Sequence, residues 1–104
     1  MTKIFLNYDQ AQLDAQYNNR ARVANFQEII DGWAARSAGC LETMDVRRDL
    51  AYGDHHRERL DVFPAAQPNA PVHVFFHGGY WQALSKNEFA FIAAPFAAAG
   101  VTTV

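Results

Sequence analysis

Among the residues that could do chemistry, the run His77-Gly78-Gly79-Tyr80-Trp81 stands apart. Two adjacent glycines reach backbone angles closed to other residues, so successive amide N–H groups can turn toward one point. Such a point attracts negative charge. In acyl transfer the charge to be held is the oxyanion of a tetrahedral intermediate, where each well-aimed donor is worth about 2.7 to 4 kcal/mol. A Gly-Gly pair alone is more often a plain turn. The flanking His77, Tyr80 and Trp81, and the apolar run before them, set this pair apart.

Other candidates have simpler explanations. His73 and His77 are four apart, which on a helix would suggest a zinc pair, but in a strand that separation is about 13 Å, so no metal is expected. His55 and His56 lie beside Arg57, Glu58 and Arg59 in a charge run that reads as solvated surface. Asp45, Asp49, Asp54 and Asp61 sit in or beside a predicted hairpin with no partner that the sequence identifies, and are read as structural. Ser37 and Ser85 lie in no nucleophile setting. The cluster from Tyr17 to Arg20 can cap a helix or border a cleft.

The loop needs elements to hold it. Val72-His73-Val74-Phe75-Phe76 is a β-branched and aromatic run bounded by Pro71 and Gly78-Gly79, and predicts a strand. Ser85 with Glu88 forms a capping box for a helix carrying Phe89, Ile92, Ala93 and Phe96 on one face up to Gly100, kinked at Pro95. Val101 to Val104 is a second β-branched run, so strand, helix and strand form a parallel unit. Upstream, Asp9 and Gln12 cap a short helix to Tyr17, ended by Asn18-Asn19. A helix from Asn25 sets Phe26, Ile29, Ile30 and Trp33 on one core-facing side and stops at Gly39. Asp45–Tyr52 and Arg57–Phe63 predict an antiparallel hairpin turning at Gly53-Asp54-His55-His56, and residues 64–71 a loop. The fold class is α/β.

The loop and its strand resemble the arylformamidase (kynurenine formamidase) branch of the α/β-hydrolases, relatives of esterases and lipases. Gln16-Tyr17-Asn18-Asn19-Arg20-Ala21, Asp49-Leu50-Ala51-Tyr52-Gly53 and Arg59-Leu60-Asp61-Val62-Phe63-Pro64 resemble bacterial members of that branch. The resemblance implies the N-terminal part of an α/β-hydrolase fold, with residues 1–40 helical and 41–104 beginning the sheet. It implies that the amides of Gly79 and Tyr80 are oxyanion donors, Gly78 the hinge, His77 the residue ordering the turn, and Tyr80 and Trp81 the wall of an aromatic pocket. The family's nucleophile comes from a later Gly-x-Ser-x-Gly elbow, followed by Asp or Glu and His, none of which occurs in this sequence. The implied activity is serine-dependent hydrolysis of an aryl formamide or a carboxylic ester, without a cofactor, with this chain alone inactive. A general esterase is one alternative, and a non-catalytic module completed by another chain is a second.

Composition agrees with a small-molecule substrate. With 104 residues, half of them hydrophobic, there is material for one small domain. A net charge of -2 and a pI near 6.0 provide no basic footprint for nucleic acid or an anionic membrane. Cys40 is the one cysteine and can close no intrachain disulfide. No apolar run approaches the roughly 20 residues that cross a bilayer, and the opening residues lack a signal-peptide pattern, so a cytoplasmic protein is expected. A parallel sheet with so few helices leaves apolar faces uncovered, which predicts a partial domain or self-association through that sheet.

Overall fold

The computed structural model describes residues 2–104, which form helices and two small sheets and so belong to the α/β class. They fall into two compact units, one reaching to Ile30 and the other spanning Asp31–Val104.

In the first unit the capping box at Asp9 forms as its spacing predicts. The Asp9 carboxylate accepts from the Gln12 amide at 2.9 Å, while the Gln12 side chain accepts from the Asp9 amide at 3.0 Å. This box starts α1, Gln10–Tyr17. Asn18 ends α1 and, with its side chain accepting from the Ala21 amide at 3.2 Å, starts the short α2, Asn19–Arg22. The polar cluster after Tyr17 therefore does cap a helix. The guanidinium of Arg20 lies over the Phe26 ring, 5.4 Å from its centroid.

Helix α3 runs Phe26–Thr43, four residues past the stop expected at Gly39. Gly39 is not in the left-handed region that ends helices, and a mid-helix glycine costs only about 1 kcal/mol. Continuing the helix carries Leu41 toward the core, where it packs with Met44 and Val46 on buried Phe63, Ala90 and Ala93. That burial outweighs the glycine. The core is thus not built on the predicted stripe. Phe26 lies under Arg20, Ile29 is 38 % exposed, and Trp33, within the second unit, meets Phe89 and Phe91.

Strands β1 (Arg47–Ala51) and β2 (Arg59–Val62) form the predicted antiparallel hairpin within tighter limits. Arg47 faces Val62 and Leu50 faces Leu60, so one extra residue bulges from β1, and Asp49 takes a positive φ of 57° there. Strands β3 (Val72–His73) and β4 (Thr102–Thr103) pair in parallel. β3 is shorter than the predicted strand, since only Val72 and His73 pair with Thr102 and Thr103 of β4. The last bond runs from the Phe75 amide to the Val104 carbonyl at 2.8 Å. A bridge between Phe63 and Thr103, bonded in both directions at 2.8 and 3.0 Å, joins β2 to β4.

Between β3 and β4 the chain forms 3-10 turns at Lys86–Glu88 and Ala90–Ile92, then helix α4, Ala93–Ala98. The expected kink at Pro95 is absent. Pro95 occupies the first turn of α4, where an amide has no intrahelical acceptor to lose. Gly100, at φ 78°, closes the helix as predicted, its amide donating to Ala97 and that of Val101 to Phe96.

Candidate functional site

The second unit contains an open cleft of about 1060 Å³ between the hairpin, the end of β3 and the segment after it, with Asp61, Phe75, His77, Tyr80 and Lys86 among its lining residues. The loop leaves β3 and turns through consecutive positive φ values at Gly79 (134°), Tyr80 (54°) and Trp81 (61°), with Leu84 following at 69°. Left-handed backbone is unfavourable for a side chain as bulky as tryptophan. The turn is closed by the Gly79 carbonyl, which accepts from the amides of Gln82 at 3.1 Å and Ala83 at 3.0 Å.

Only glycine satisfies position 79. Its φ is outside the range of other residues, and a Cβ there would collide with the Ala83 carbonyl. A Cβ on Gly78 would meet nothing within 4 Å. Among the described residues no hydrogen bond occupies the amides of Gly78, Gly79 or Tyr80. His77 places Nδ1 2.7 Å from the Gly78 carbonyl, so the proton of that contact sits on Nδ1, and its ring lies against Phe89 at 5.7 Å and 14°. Tyr80 and Trp81 meet at 5.6 Å between ring centroids on the cleft rim, 80 % and 98 % exposed.

The segment that leaves the loop is fixed by side chains. The Ser85 amide and hydroxyl each donate to the Glu88 carboxylate at 2.8 Å, completing the capping box. Burial works to raise the Glu88 pKa, but these bonds and the nearby His77 outweigh it and hold the carboxyl below its ordinary value. One residue on, the Lys86 ammonium lies 2.7 Å from Asp49 and 2.9 Å from Asp61. Its hydrogen bond, followed by its charge, holds the Asp49 carboxyl below the usual carboxylate range. Burial works to lower the Lys86 pKa, and the bonds to the two aspartates overcome it, so the ammonium titrates above its ordinary value.

Asp49 and Asp61 thus have a shared partner that sequence reading missed. A signal was available for one of them. Asp61 on β2 alternates with Phe63, the residue just after the strand, and both are buried; a carboxylate at such a position, here 6 % exposed, calls for a cation. Nothing local named Lys86, which is 25 residues away in the chain. His73, set aside as a metal ligand, stacks on Phe96 with centroids 4.1 Å apart. The rings of His55 and His56 meet in a tilted contact at the hairpin tip, with centroids 4.3 Å apart. Ser37 is fully buried and accepts from the Phe91 amide at 3.0 Å.

Comparison with known proteins relates the chain to hydrolases. No family model matches. Over 58 residues, 54% of this chain, the sequence is 43% identical to kynurenine formamidase of Danio rerio, and over 71 residues, 66% of the chain, 37% identical to kynurenine formamidase of Salmo salar. The matches cover 20% and 23% of those proteins, so the chain spans about a fifth of their length. Among solved structures it is similar to a "putative thioesterase" from Silicibacter sp. TM1040, with a TM-score of 0.79 and 28% identity over 88% of this chain and 37% of that one. All three are hydrolases by name. Among the described residues no helix is long and apolar enough to cross a membrane.

Proposed function

We propose that the chain is the front part of an α/β-hydrolase domain that cleaves an aryl formamide, with the loop from His77 to Trp81 as its oxyanion receptor. The observation that carries this reading is the loop itself. At the C-terminal end of a parallel strand, a glycine that nothing can replace leaves adjacent amides free of partners beside an open cleft. In this reading the Gly79 and Tyr80 amides receive the oxyanion, and His77, through its contact with the Gly78 carbonyl, orders the turn that presents them. Gly78 is the hinge. Tyr80 and Trp81 provide aromatic surface for the aryl group. The attacking serine, with its acid and base, lies outside these 104 residues. Supporting the formamide substrate is the 37–43% identity to kynurenine formamidases.

A second reading, hydrolysis of an ester or thioester, is favoured by the structural neighbour. Both reactions pass through a tetrahedral oxyanion and differ in the walls of the pocket. The test uses the protein as its gene encodes it, assayed with formanilide and with p-nitrophenyl acetate. Preference for formanilide supports the first reading, and preference for the ester the second. Gly79→Ala, by driving a methyl into the Ala83 carbonyl, is expected to lower kcat by about 10²- to 10³-fold on whichever substrate is cleaved. Full activity in that variant removes the loop from the mechanism.

A further inference from the structure

The strained part of the loop must be held at both ends. Three residues with side chains, Tyr80, Trp81 and Leu84, stand in the left-handed region together with Gly79, and such a segment persists only where its surroundings over-determine it. On the incoming side the Phe75 amide is bonded to Val104 and the His77 ring lies on Phe89. On the outgoing side two consecutive residues reach the hairpin. Lys86 bonds Asp49 and Asp61, and Asn87 accepts from the Arg48 guanidinium at 3.1 Å. The hairpin receives them on a shaped surface. The Asp61 carboxylate also accepts from the Asp49 amide at 2.9 Å, which secures the bulge that turns Asp49 toward Lys86.

We infer that Lys86 is a positioning residue, its ammonium clamped between Asp49 and Asp61 so that the exit of the loop, and with it the aim of the Gly79 and Tyr80 amides, is fixed against the hairpin. This inference rests on the oxyanion reading above. Lys86 does not itself bind substrate. An ammonium has three N–H donors, and here they are directed to Asp49, to Asp61 and, at 3.5 Å, to Asn87. Nor is the clamp an ordinary surface ion pair. The Asp61 side chain is only 5 % exposed and that of Lys86 26 %, so water competes poorly for the bond between them.

The experiment again uses the protein as its gene encodes it and reads hydrogen exchange of amides 78–84 together with kcat and KM on formanilide and p-nitrophenyl acetate. Lys86→Met alone strands a buried carboxylate and can unfold the protein, so it is paired with Asp61→Leu, which removes both charges at once. In Lys86→Met/Asp61→Leu, exchange of amides 78–84 is expected to accelerate about tenfold. On the cleaved substrate kcat should fall about 10- to 100-fold while KM stays within about twofold, the signature of misaimed groups that act in the transition state. Lys86→Arg should restore most of both. Leu41→Ala, a core truncation that touches neither the loop nor the clamp residues, should lower the melting temperature without accelerating loop exchange. Unchanged exchange in the paired variant, or equal acceleration by Leu41→Ala, overturns the clamp. If the unmodified protein cleaves neither substrate, the oxyanion reading falls, and loop exchange alone then decides whether Lys86 fixes the loop.

Discussion

Glu88 sits where two opposing effects on a carboxyl can be separated by pH. Burial favours its neutral form, and the Ser85 hydroxyl and amide favour the charged one and prevail. Its folded pKa is therefore below the ordinary 4.5, and the charged capping box adds stability that is complete above that value. The contribution is lost as pH falls through the lower, folded value. Glu88→Gln keeps the hydrogen-bonding shape without the charge. Near neutral pH the variant is expected to be about 0.5 kcal/mol less stable, and the difference should close as the solution is taken below pH 4.5. Melting temperatures of both proteins across that range check this, and a gap that persists in acid contradicts it. Lys86 works in the opposite sense. Its folded pKa is raised, so its contribution is complete below 10.5 and lost as pH rises through the folded value. The capping boxes at Asp9 and Ser85 could be read from sequence because both partners lie within one turn of chain. The Lys86 clamp could not, because it depends on the register that brings β1 and β2 beside residue 86.

Among the elements, α3 separates local preference from the pull of the core. Gly39 reads locally as a stop, yet the helix continues because Leu41 and the residues just after the helix have buried partners to reach. A Cβ at Gly39 would meet no neighbour within 4 Å, and the backbone there is helical. Gly39→Ala is therefore expected to stabilise the protein by about 0.5 to 1 kcal/mol, measured by urea denaturation. Destabilisation would mean that the position is a helix end after all. Pro95 carries the same lesson in reverse. Whether proline kinks a helix or begins one depends on where the first turn lies, and two 3-10 turns displace that point to Ala93. The parallel pairing of β3 with β4 was legible because two β-branched runs flank a helical pattern, and such a crossover joins parallel strands. The span of β3 was not, since it depends on which residues lie beside it in the sheet and not on its own composition.

At the scale of the whole molecule, one face of β3 and its continuation stays bare. Val72, Val74 and Phe76 alternate along the chain and are 60 %, 51 % and 86 % exposed. A contiguous apolar face beside an open strand edge favours association. We expect the 104-residue chain, produced on its own, to form oligomers whose proportion rises with concentration. Val74→Lys with Phe76→Lys should return it toward monomer in light scattering, and a monomer at all concentrations without those changes would contradict the expectation.

The bridge between Phe63 and Thr103 sets an order of assembly. Because β4 pairs with β3 on one side and reaches β2 through that bridge on the other, the two strand pairs have no backbone link until residues 102 and 103 arrive. On the ribosome the hairpin can close early, from neighbouring residues alone. The cleft cannot, because the hairpin that forms one wall and the strand that forms the other are united only once Thr103 has been made. During synthesis Val72 to Phe76 must therefore wait for a partner with its apolar side chains in water, and that interval is when a chaperone has most to protect.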